Sequence, residues 1–95
     1  MYYTNIDGID NNFDIETFSK GNNNRKVTIG DLELFYSYRT VIAFNRAHWP
    51  TVIAQNQWGS TTGRHLNDVN PDKSIRLPYK EFKQQLKELL EELGL

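Results

Sequence analysis

The 95-residue chain predicts an α+β domain: an antiparallel sheet of three or four strands, a short helix after Trp58 and an amphipathic C-terminal helix packed on the sheet. Three observations predict it. Leucines and aromatics recur at helical spacing in "PYKEFKQQLKELLEELG", apolar residues alternate through "LELFYSYRTVIAF", and "GD" sits between two runs of β-formers. A chain of this length forms one domain, residues 1–95, around one core.

The N-terminal stretch is poor in helix signals, and Gly8 and the Asn11-Asn12 pair interrupt it. "FDIETF" predicts a brief turn of helix, with Asp14 as cap and Phe13 and Phe18 anchored on the core. "SKGNNNRK" reads as loop, because glycine and three consecutive asparagines favour left-handed or side-chain-bonded backbone. Residues 1–26 are therefore expected to be a loosely structured N-terminal segment and loop, and 27–95 the compact core.

"KVTI" and "LELFYSY" predict a hairpin about the Gly30-Asp31 turn. Continued through "RTVIAF", one parity holds Leu32, Leu34, Tyr36, Tyr38, Thr40, Ile42 and Phe44 and is expected to face the core. The other parity changes from polar to small and apolar at Arg39, which predicts a bend or bulge near Ser37 to Thr40, or two strands. "TVIAF" and "TVIAQ" read as antiparallel neighbours, with Pro50 confined to the mouth of the second. "TTGRHLNDV" predicts the short helix, capped by Ser60, Thr61 or Thr62, with Leu66 and Val69 inward and Asn70-Pro71 as the stop. "SIRL" reads as a short edge strand, and Pro78 suits the first turn of the last helix. There Tyr79, Phe82, Leu86, Leu89, Leu90 and Leu93 form an apolar stripe, while Glu91 and Glu92 sit in the last turn, where the helix dipole disfavours them.

Composition excludes several classes of function. With no cysteine there is no disulfide, no thiolate metal site and no cysteine nucleophile. The start "MYYTNIDGIDNN" lacks a secretory pattern, and no run approaches the roughly 20 apolar residues of a membrane span, so a cytoplasmic protein is expected. The net charge of -1 is unevenly spread. Asp7, Asp10, Asp14 and Glu16 have no base among residues 1–19, whereas Lys20, Arg25, Lys26, Arg39, Arg46 and Arg64 face only Asp31 and Glu33 in residues 20–65. A basic middle of this kind steers anionic partners, but the chain lacks the strong overall base of a nonspecific nucleic-acid binder.

Two groups of residues are candidate sites. Ser60, Thr61, Thr62, Gly63, Arg64 and His65 gather hydroxyls, a cation and unpaired N–H groups at a helix start, the ingredients of an anion or partner pocket. The plain alternative is a hydroxyl capping the helix, with Trp58 plugging the sheet edge. Arg39, Arg46, Trp49 and Trp58 are candidates for an interface, either with a protein or with stacked bases. Tyr38 and Trp58 are expected in the core, and Trp49, beside a proline, in water. His48 and His65 have no companions at metal-ligand spacing, and His65 with Asp68 lacks a placed nucleophile, so no metal, cofactor or catalytic residue is expected.

"LELFYSYRTVIAFN" followed by "QNQWGSTTGRHLND" resembles a family of small uncharacterised proteins encoded by bacteriophages and prophages. The resemblance lies in a Ser-Tyr-Arg-Thr element at Ser37 to Thr40 and in a Trp-x-x-Thr-Thr-Gly-basic-His-Leu-Asn motif at Trp58 to Asn67. It implies a phage accessory protein without a cofactor that acts by stoichiometric binding to a bacterial host protein or ribonucleoprotein complex, as an anti-CRISPR inhibitor does. The expected function is therefore non-enzymatic inhibition of a host system, in the host cytoplasm, as monomer or homodimer. Nucleic-acid binding is the alternative.

Overall fold

The computed structural model describes residues 13–95; the expected interruption at Gly8 and Asn11-Asn12 and the Phe13 anchor fall outside what is described. One mixed sheet holds six strands in chain order: β1 (Phe13–Glu16), β2 (Asn24–Ile29), β3 (Leu32–Ser37), β4 (Thr40–Arg46), β5 (Val52–Ala54) and β6 (Arg76–Leu77). Helix α1 (Ser60–Val69) connects β5 to β6, and α2 (Tyr79–Glu92) follows. Neighbouring strands are antiparallel except β5 and β6, which run parallel because a helix intervenes. The α+β class holds, but the sheet is larger than the three or four strands expected.

Much of the difference lies at the start of the described chain. "FDIETF" contains a strand and not a turn of helix: Asp14, expected as a cap, pairs with Thr28, and Ile15 with Val27. Lys26 Nζ reaches Glu16 at 3.2 Å and Glu33 at 3.5 Å, so one ammonium ties β1, β2 and β3 together. The boundary drawn at residue 26 falls inside β2. Asn24, the third of the three asparagines, is fully buried: its Oδ1 accepts from the N–H groups of Phe18 and Ser19, and its Nδ2 donates to the carbonyls of Ser19, Lys20 and Gly21. One side-chain amide therefore satisfies two N–H groups and three carbonyls of the β1–β2 loop.

The β2–β3 turn is Gly30-Asp31, with Gly30 at φ 61, a conformation that L side chains resist. The long run after it divides into two strands about Tyr38-Arg39. Opposite β3, Phe35 faces Ala43 while Tyr36 faces Val41, so Ile42 is an extra, bulged residue. The bulge explains why the expected single core-facing parity fails: Val41 and Phe44 face one side of the sheet, Ile42 and Ala43 the other. The "TVIAF" and "TVIAQ" strands pair antiparallel as expected, Ala43 with Ile53 and Phe44 with Val52.

Both faces of the sheet are covered. Phe82, fully buried, and the half-buried Tyr79, Leu86, Leu89 and Leu90 of α2, with Leu93 at its C-cap, close one side over Leu32, Leu34, Phe44 and Ala54. On the other side Leu66 and Val69 of α1 pack with Ile42, Ala43, Ile53, Phe35 and Phe18. Ile53 and Ala54, adjacent in β5, go to opposite cores, as strand alternation requires. Arg46 stands 3.4 Å from Glu92, which supplies the cation that the acidic last turn of α2 wants.

Candidate functional site

Helix α1 starts without a side-chain cap. Its N-cap is Gly59, in extended conformation, and none of the hydroxyls expected there makes the bond. Thr62 is buried instead, and its Oγ1 lies 2.8 Å from Ser37 Oγ. Asn56 organises the approach: its Oδ1 accepts from Trp58 N and its Nδ2 donates to the Gly59 carbonyl. With glycine at the N-cap, the first turn of α1 has no side-chain cap among the described residues.

Thr62, His65 and Leu66 lie three and four positions apart, hence on one face, and all are buried. Ser37 Oγ is 2.7 Å from His65 Nδ1, so β3 and α1 are joined by a sealed chain of Thr62, Ser37 and His65. The imidazole packs against Phe18 and Tyr38, and its buried Nε2 has no partner among the described residues. Burial, assisted by the charge on Arg64 and opposed by Asp68, holds the His65 pKa below the usual value near 6.5 and favours the neutral ring. Next to it, Ser19 Oγ donates to Asp68 Oδ2, fastening the β1–β2 loop to α1.

The expected anion group is therefore split. Thr62 and His65 are internal and bonded, contrary to the expectation that their donors face a ligand; Ser60 and Arg64 are exposed, and Thr61 is half-buried. What opens outward is a cavity of about 320 Å³ between the β3–β4 turn and the start of α1, lined by Ser37, Tyr38, Thr40, Trp58 and residues 59–62. Tyr38 is 53% exposed and Trp58 37%, so neither is the core residue expected. The reason is local. Tyr38 occupies the hairpin turn, where its backbone is left-handed at φ 55, and Trp58 rests edge-on against Tyr79 beyond the end of β5.

The four interface candidates do not form one surface. Arg39 belongs to the Tyr38 turn, whereas Arg46 and Trp49 lie at the opposite end of β4, roughly 20 Å away at about 3.3 Å per residue. There the Arg46 guanidinium is half-buried against Asp31 and Glu92 and sits over the Trp49 ring, which is 65% exposed, as expected. Ser37 and Asn24 carry structure that sequence patterns do not show, since a serine ending a strand and an asparagine in an Asn-rich loop look unremarkable. Among the described residues no group of three His, Asp or Glu side chains could hold a metal ion, and no helix is long and apolar enough to cross a membrane.

No curated protein and no solved structure matches the chain. A model for a family of unknown function, DUF8033, matches residues 4–84, from ahead of β1 into the second turn of α2 and across the whole Tyr38–Trp58 cavity. That span is well over half of the 95 residues, and the chain belongs to the DUF8033 family.

Proposed function

We propose that this chain is a non-enzymatic binding protein, phage-encoded as its resemblance implies, that docks on a protein or ribonucleoprotein of the bacterial host and inhibits it, in the manner of an anti-CRISPR inhibitor. The observation that carries the reading is the exposed pair Tyr38 and Trp58 on the rim of one cavity, with the exposed Arg39 next to Tyr38 in the β3–β4 turn. Tyrosine, tryptophan and arginine supply most of the energy at protein interfaces, and an aromatic ring left half in water has apolar area still to bury. Ser37 and Thr62, already bonded to each other, form a rigid floor under that rim. The test is affinity capture from host lysate. A stoichiometric partner should bind the wild-type chain and the Trp49→Ala variant, and be lost with Tyr38→Ala and Trp58→Ala; capture that ignores all three positions refutes the docking surface.

A second reading, nucleic-acid binding, is favoured by one observation: Arg39 and Arg64 are exposed and make no ion pair among the described residues. Bases would stack on Tyr38 and Trp58 while these cations hold phosphates. Affinity for a single-stranded oligonucleotide should then fall steeply with salt and weaken in Arg64→Ala. A binding curve that stays flat at low salt removes this reading.

A further inference from the structure

Gly63 and Asn67, one turn apart on α1, line a separate cavity of about 330 Å³ together with Gln55, Asn56, Lys73 and Arg76. It shares no residue with the Tyr38 cavity. Arg76 is only 8% exposed. Its Nη2 donates to Asn67 Oδ1 at 2.9 Å and to the Asn70 carbonyl at 3.2 Å, while its Nε is buried and has no acceptor among the described residues. None of the ion pairs among those residues includes Arg76. Asp72 feels its charge weakly, but that carboxylate is engaged by the Ser74 hydroxyl and N–H, which are also the main reason it titrates below the usual range.

A guanidinium withdrawn from water among neutral acceptors is unfavourable unless a counter-charge faces it. The cavity has the means to hold one. Lys73 brings a second, exposed cation; Asn67, with its Oδ1 engaged by Arg76, keeps its amide N–H groups as donors; the exposed Gln55 side chain adds another amide. Asn56 is committed to Gly59 and Trp58, and a Cβ at position 63 would stand 2.9 Å from Asn56 Nδ2, so glycine preserves the space between helix and loop. The donors come from several elements and not from one planar fork, which suits a tetrahedral oxyanion.

We propose that this cavity is an oxyanion site that takes a phosphoryl group, with the Arg76 guanidinium as its inner cation, reported on by the buried Nε–H, and Lys73 as its outer cation. The group comes either as free phosphate or as the terminal phosphate of an oligonucleotide. The test titrates the full chain with inorganic phosphate at constant ionic strength while the Arg76 Nε–H signal is followed by NMR. The same titration is run with a 5′-phosphorylated dinucleotide and with its unphosphorylated counterpart. The expected result is a saturable displacement of that signal by phosphate, weakened about tenfold in Lys73→Ala, a change on an exposed side chain that leaves the fold intact. Tighter binding of the phosphorylated dinucleotide, with none by the unphosphorylated one, assigns the site to nucleic-acid ends; equal or tighter binding of inorganic phosphate assigns it to the free ion. An Arg76 signal that stays in place under phosphate, or a Lys73→Ala variant that binds as the wild type does, overturns the proposal. Neither result depends on Tyr38 or Trp58, so this site and the docking surface stand or fall separately.

Discussion

At the scale of single residues, the buried polar groups are more telling than the exposed ones. His65 is held neutral by burial, so its folded pKa lies below the unfolded value near 6.5. The unfolded chain therefore takes up the proton first as the pH falls. The contribution of the neutral ring is fully present above about pH 6.5 and is lost progressively below it, through the lowered folded pKa. Denaturant midpoints measured from pH 7.5 to pH 5 should fall for the wild type and fall less for His65→Gln. Asn24 makes a larger demand, because Asn24→Ala would strand two N–H groups and three carbonyls around a buried position. A loss of about 3 kcal/mol in equilibrium unfolding is expected. Neither residue announces itself in the sequence. An asparagine in "GNNN" reads as loop filler until the geometry shows which of the three turns inward, and Ser37 gains its partner from a helix 25 residues later.

At the scale of elements, local pattern succeeded where one force dominated. The leucine stripe of α2, the Gly30-Asp31 turn and the pairing of the two Thr-Val-Ile-Ala segments were all legible, because hydrophobic spacing and turn chemistry pointed the same way. β1 was not legible, since Phe13 and Phe18 with Asp14 as a cap fit a helical turn equally well, and only the partner strand with the Lys26 bridge decides for a strand. The core side of β4 was misread for a similar reason: a single bulged residue, Ile42, changes which side chains face α1. For α2 the consequence of burial is direct. Phe82 is fully enclosed beside Phe44, with ring centroids 5.3 Å apart, and Phe82→Ala should cost about 3 to 5 kcal/mol by thermal or chemical denaturation. The β3–β4 turn behaves in the opposite sense. Tyr38 holds a left-handed backbone that asparagine adopts more readily, so Tyr38→Asn should raise stability by up to about 1 kcal/mol while abolishing partner capture. A variant that loses stability and binding together would show that the tyrosine is structural.

At the scale of the whole molecule, the two ends of the sheet differ in character. Tyr38, Arg39 and the start of α1 gather at one end, and Arg46 with Asp31 and Glu92 at the other. The charge asymmetry read along the chain is thus partly neutralised at the far end, while Arg39 and Arg64 stay exposed with no ion pair among the described residues. The candidate site itself was half legible. Ser60 and Thr61 line the cavity, while Thr62 and His65 serve its foundation and Tyr38 and Trp58, both read as core, stand on its rim.

The order of the elements has one more consequence. Five antiparallel strands come first, and the helix that roofs Leu32, Leu34 and Phe44 comes last. During synthesis those side chains stay bare until residues 79–92 have left the ribosome, so a nascent chain halted before Pro78 presents an oily, unroofed plane to the cell. A product ending at Leu77 should accumulate as aggregate or be degraded, and α2 supplied in trans as a separate peptide should bring part of it back into solution, measured as the soluble fraction after co-expression.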